Sequence, residues 1–217
     1  MILFLLFSFP LFFFLVSSLP WGAQKAPGMP QLVNAFLRGV LLFFPAFIVI
    51  LITRRIFGFS WSGAWLFISL LLRDQLVPLL AALGSFLIMK KKLDLPIFEE
   101  GIFLGALAFF CGFLAMVNIA DMIRTWGSWD AYVLFLLPFQ RLAAVVFISL
   151  LARRFYPWEG REAVLYTIVV AGVALGLSIC GFLFVDSRPL WSILLTAVPV
   201  AAAVIAFAMR FPRALGA

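Results

Sequence analysis

Apolar residues run along this chain in blocks of membrane-spanning length, broken by short stretches where charge, proline and glycine gather. A block of about 20 apolar residues is what a transmembrane α-helix requires. The pattern predicts such helices over 1–18, 31–53, 61–89, 95–122, 132–151, 163–185 and 190–208, seven spans in all. The first, MILFLLFSFPLFFFLVSS, has no basic residue ahead of its apolar core, so a retained helix is expected rather than a cleaved signal peptide. Cleavage would leave six spans. LPWGAQKAPGMP, from Leu19 to Pro30, is a connector that cannot continue a helix.

The fourth block differs from a plain anchor. It opens on Glu99 and Glu100, carries Gly101, Gly105, Ala108, Gly112 and Ala115, and places Asn118 and Asp121 where a lipid-facing helix avoids polar groups. Small residues at four-residue spacing let backbones approach closely, so this helix is expected at the centre of a bundle. Gly172, Gly176 and Cys180 repeat the spacing in the sixth block and predict a second packing face, toward this chain or a partner. Glu99 and Glu100 follow Pro96 at a helix start, where carboxylates complement the macrodipole; capping outweighs acid/base chemistry for the pair.

Composition fixes the class. The chain has 217 residues, 66% hydrophobic and 12% charged, with a mean hydropathy of +1.20. That is about half the charge of a soluble domain, and backbone in hydrocarbon must satisfy its own hydrogen bonds. An all-α polytopic bundle follows, one membrane-embedded domain over 1–217. The net charge of +7 does not point to nucleic acid, because Arg54-Arg55, Lys90-Lys91-Lys92 and Arg153-Arg154 sit at the ends of apolar runs, as topogenic charges do. Arg38 is near enough to a helix end to snorkel. Cys111 and Cys180 lie inside spans and are expected as small packing thiols. The chain has no histidine, which removes the commonest metal ligand and catalytic base together; no metal and no cofactor is expected.

With the first residue outside, Lys25, Lys90, Lys91, Lys92, Arg153, Arg154, Arg161, Arg210 and Arg213 face the cytoplasm, against Arg54, Arg55, Arg124 and Arg188 outside. The positive-inside rule then predicts N-terminus out and C-terminus in, in a bacterial inner (cytoplasmic) membrane.

Charges at membrane depth cost roughly 3 kcal/mol each on insertion scales, so they need partners or a task. Helix rise places Arg73 and Asp74 about 24 Å from the Lys90 end of their span, and Asn118, Asp121 and Arg141 at overlapping depth in the outer half of the bilayer. Two acids and two bases allow full neutralisation. Arg73, Asp74, Asn118, Asp121 and Arg141 are therefore expected as one buried polar cluster, either a structural ion-pair network or a site facing a cavity.

KKLDLPIFEEGIFLGALAFFCGFLAMVNI, from Lys91 to Ile119, resembles the helix signature of the PrsW family of intramembrane proteases. That signature has an acidic-Gly start, a Gly-rich helix, a Gly-Phe step and, four residues after the Phe, a Glu-Asn pair. Glu100-Gly101 and Gly105 match the start; Gly112-Phe113 and Asn118 match the end, although the Gly105-to-Gly112 interval is one residue longer than the family's. LLPFQRLAAVVF, from Leu136 to Phe147, is similar to the family's Leu-Leu-Pro ahead of its histidine. The resemblance covers roughly residues 60–155. The departures fall on the catalytic positions. Arg73-Asp74 stands where the family has Glu-Glu, Val117 replaces the Glu of Glu-Asn, and the His position falls at about Leu142.

The resemblance thus implies a kept scaffold without its catalytic set. The function expected is a non-catalytic, PrsW-like pseudoprotease that binds the lipid bilayer and another membrane protein, as a scaffold or a complex subunit. Two alternatives stand beside it: a protease-like enzyme using Asp74, Asp121 and Glu100, and a small transporter or channel subunit with Arg73, Asp74 and Arg141 along its pathway.

Overall fold

The structure is a computed structural model. It describes residues 29–57, 63–89, 92–93, 99–125 and 132–186, together with helical residues 191, 193–198, 201 and 205. Every regular element among them is helical, and the chain is a membrane protein by the length and composition of its helices. We number the helices α1 (Met29–Ile56), α2 (Ala64–Met89, with a π-helical stretch at Leu71–Leu76), α3 (Glu99–Arg124), α4 (Leu137–Arg154, preceded by a π turn at Tyr132–Leu136) and α5 (Arg161–Val185).

Four helices, α1, α2, α3 and α5, are long and apolar enough to cross a membrane, where the sequence pattern predicts seven spans. The expected spans over 1–18 and most of 190–208 lie outside the described residues. The expected fifth span, 132–151, forms as the π turn and α4 and is not one of the four.

The α3 helix is the centre of the bundle, as its small residues predict. It is 83% buried over its most apolar window, against 22% for α1 and 33% for α5. The close approach is to α1. A Cβ built on Gly112 would meet the Phe36 carbonyl oxygen at 2.2 Å, and one on Gly39 would meet that of Phe109 at 2.1 Å. Two glycines, one on each helix, therefore let the backbones touch. Phe43 packs edge-on to Phe113 beside this crossing (5.9 Å), and Phe86 of α2 gathers Phe109, Phe110 and Trp158 within 5.4 Å. Outward residues of α1, such as Leu41 and Ile48, are exposed apolar side chains suited to lipid contact.

Candidate functional site

The polar cluster begins with proline chemistry in α2. Pro78 has no N–H to give the carbonyl of the preceding turn, and its ring crowds that carbonyl. The helix answers by widening into a π turn over LLRDQL just upstream. Arg73, Asp74 and Gln75 lie in that turn and are all buried. Arg73 closes on its own neighbour, Nε donating to Asp74 Oδ1 at 2.7 Å and Nη2 to Oδ2 at 2.5 Å. The α4 helix has the same grammar, with a π turn that ends at Leu136, two residues before Pro138.

Arg141 enters from the first half of α4 and makes three contacts. Its Nη1 donates to Asn118 Oδ1 at 2.5 Å and pairs with Asp121 Oδ2 at 2.8 Å. Its Nη2 donates to the Asp74 backbone carbonyl at 3.3 Å, the one Pro78 leaves without an α-helical donor. Asp121 is shared: Arg54, near the end of α1, reaches its Oδ1 at 2.8 Å, and Arg124 approaches the same oxygen at 3.8 Å. Charge, not alignment, holds this carboxylate, since neither oxygen makes an aligned hydrogen bond among the described residues. A neutral layer adjoins it, where Gln75 Nε2 donates to Gln140 Oε1 at 2.6 Å and ties α2 to α4. Tyr132, at the start of the π turn ahead of α4, is buried as well.

All five residues expected in the cluster, Arg73, Asp74, Asn118, Asp121 and Arg141, are buried, and their contacts join them. The expected balance of two acids and two bases needs correction. Arg54 belongs to the cluster with 7% of its side chain exposed, so three buried guanidiniums face two carboxylates. Its place after an apolar run reads as a loop charge, but α1 continues to Ile56 and carries it inside. Gln75, Gln140 and Tyr132 also complete the cluster; the one clue to the glutamines is that each adjoins a charged residue within an apolar run.

The small residues divide. Gly112 packs as expected, against α1, and Gly101 and Gly105 are buried. Gly39, its packing partner, escapes a reading focused on the fourth and sixth blocks, although Ala35 and Gly39 have the same four-residue spacing. Gly172 and Gly176 meet no described residue within 4 Å of a built Cβ, so they pack against nothing described in this chain. Glu99 and Glu100 begin α3. Cys111 and Cys180 are buried and not disulfide-bonded. Val117 and Leu142, at the positions the resemblance assigns to Glu and His, are buried apolar residues. Among the described residues no three His, Cys, Asp or Glu side chains converge as a metal site would need.

Chemically the cluster leaves both donors and acceptors without an aligned hydrogen bond, the two Asp121 oxygens and Gln75 Oε1 among the acceptors. Arg54 Nε, Arg141 Nε and Gln140 Nε2 are buried without a hydrogen-bond acceptor among the described residues. No protein-family model, curated protein or solved structure matches the chain.

Proposed function

We propose that this chain is a non-catalytic integral membrane protein that acts by binding, as a scaffold or a subunit of a membrane protein complex. The observation that carries the reading is the state of the two intramembrane acids. Asp74 is chelated by Arg73, and Asp121 is held between Arg54 and Arg141. Activating water for hydrolysis needs a carboxylate or imidazole able to accept a proton; here both acids are committed to guanidiniums, and the chain has no histidine. The same engagement weighs against a proton pathway and against an enzyme built on Asp74, Asp121 and Glu100. The PrsW-like pattern over 60–155 fits a pseudoprotease form of this reading, on the strength of the residues quoted for it.

The side of α5 that carries Gly172 and Gly176 suits a partner helix, because glycines with open space in front of them allow a second backbone to approach. Loop charges favour N-terminus out and C-terminus in across a bacterial cytoplasmic membrane. Burial of Arg54 sharpens that count by removing one of the outer charges.

Purification from native membranes in mild detergent tests the reading. A stoichiometric membrane partner is expected to co-elute, and to be lost from a Gly172→Leu/Gly176→Leu variant that still elutes as a folded species. Cleavage of a membrane-embedded substrate that disappears in Asp74→Asn would replace the scaffold with an enzyme.

A further inference from the structure

We infer that the Arg54–Asp121–Arg141 end of the cluster is a binding site for a phosphate group, carried by a phospholipid headgroup or by free inorganic phosphate. The first ground is charge. Arg73 and Asp74 neutralise each other by a two-bonded contact, which leaves one carboxylate, Asp121, between two buried guanidiniums with Arg124 at its margin. A net positive charge remains at membrane depth among the described residues, where an uncompensated charge is costly.

The second ground is hydrogen-bonding capacity. Arg54 Nε and Arg141 Nε point no hydrogen at any described acceptor, although the two side chains are only 7% and 1% exposed. Guanidinium N–H groups in a fixed fork match the oxygens of a phosphate better than those of any neutral ligand. The ligand is an acceptor because it must meet guanidinium N–H groups, and anionic because two guanidiniums here share the one carboxylate of Asp121.

The third ground is position. Arg54 lies in the last turn of α1, and Arg124 is the last residue of α3, with 31% of its side chain exposed. This edge of the cluster therefore lies where two spans end, the side from which a headgroup would approach. The deeper residues Arg73 and Asp74 are fully buried. A phosphate arriving along the Arg124 side passes that more exposed guanidinium, reaches Arg54, and adds the second negative charge that the described residues around Asp121 do not supply.

Thermal melting of the full chain in a neutral detergent, titrated separately with phosphatidylglycerol, phosphatidylcholine and inorganic phosphate, tests the site. The parent protein is expected to show a saturable rise in melting temperature with phosphatidylglycerol. A matching rise with inorganic phosphate assigns the site to the free anion as well; a rise with the lipid alone assigns it to the headgroup. Arg54→Gln is expected to weaken the apparent affinity about tenfold, the effect of losing one charge-assisted contact. Arg55→Gln, at the exposed neighbour, is expected to leave it unchanged.

Asp121→Asn reverses the sign. It removes the competing carboxylate, so the variant is expected to depend more strongly on the anion for its stability. If Arg54→Gln does not yield a monodisperse protein, Asp121→Asn and the phospholipid retained by the parent on native mass spectrometry decide the matter. No response of the parent to either phosphate source, or equal responses from the parent and both Arg54→Gln and Asp121→Asn, would overturn the site.

Discussion

Arg141 and Asp121 meet at 2.8 Å between α4 and α3, with side chains 1% and 2% exposed. Because Arg54 holds the other oxygen of the same carboxylate, the two partners are not equivalent. Removing Asp121 strands two guanidiniums, whereas removing Arg141 leaves an Arg54–Asp121 pair. Asp121→Leu is therefore expected to cost at least about 3–5 kcal/mol, the usual penalty for an orphaned buried charge, and Arg141→Leu distinctly less. Adding Arg141→Leu to Asp121→Leu should recover part of the loss. Detergent melting curves of the four proteins check this; equal effects of the two single variants would show that Arg54 does not share the carboxylate.

Asp74 belongs to a different pair. Asp74→Leu strands Arg73, and Arg73→Leu strands Asp74, so each single variant should destabilise by about 3–5 kcal/mol and the double should cost much less. Combining Asp74→Leu with Arg141→Leu should give no such recovery, because Arg141 touches only the backbone carbonyl of Asp74. Recovery in that combination, read by the same melting assay, would re-pair the cluster.

The bundle and its central helix were legible in the sequence because they depend on apolar length and on small residues, which are local properties. Five members of the polar cluster were also legible, since polar residues at one depth in an apolar chain have few other places to go. Pairing was not. Helix rise fixes how deep Arg141 sits but not which way it turns, so Asp74 and Asp121 were equally available to it until α3 and α4 were placed side by side. Arg54 escaped for a related reason. A charge that ends an apolar run reads as a loop residue, and only the continuation of α1 to Ile56, with Asp121 opposite, brings it inside.

The crossing of α1 and α3 should be intolerant of a single methyl group. At Gly112 the added carbon would lie 2.2 Å from backbone oxygen, and at Gly39 2.1 Å, with no flexible side chain to yield. Gly112→Ala and Gly39→Ala are each expected to destabilise by about 1–3 kcal/mol, as overpacking does. Gly84→Ala, with nothing within 4 Å, is the control and should melt like the parent. Parent-like melting of Gly112→Ala would mean that the helices stand further apart.

Gly172→Leu and Gly176→Leu should leave the melting of the isolated chain within about 0.5 kcal/mol of the parent, as surface changes do, while reducing association with a membrane partner. A loss of stability in the isolated chain would place a part of this same chain against that face.

The π stretch in α2 has one more consequence, for the counting of residues along that helix. Each residue of an α-helix advances about 100° around the axis, so a single insertion or deletion normally turns everything beyond it to the wrong side. A π turn already holds one residue more than its α-helical equivalent. Deleting one residue within Leu71–Leu76, such as Leu72, would keep Ala64–Leu70 and Val77–Met89 on the sides they now present, at the cost of the crowding between Pro78 and the preceding turn that the π stretch relieves. The same deletion at Leu80 would turn half of the helix out of register and expose Phe86 to lipid. This helix therefore carries its own slack, stored at the one place where its charges are held, and a chain shortened there should still insert and pack.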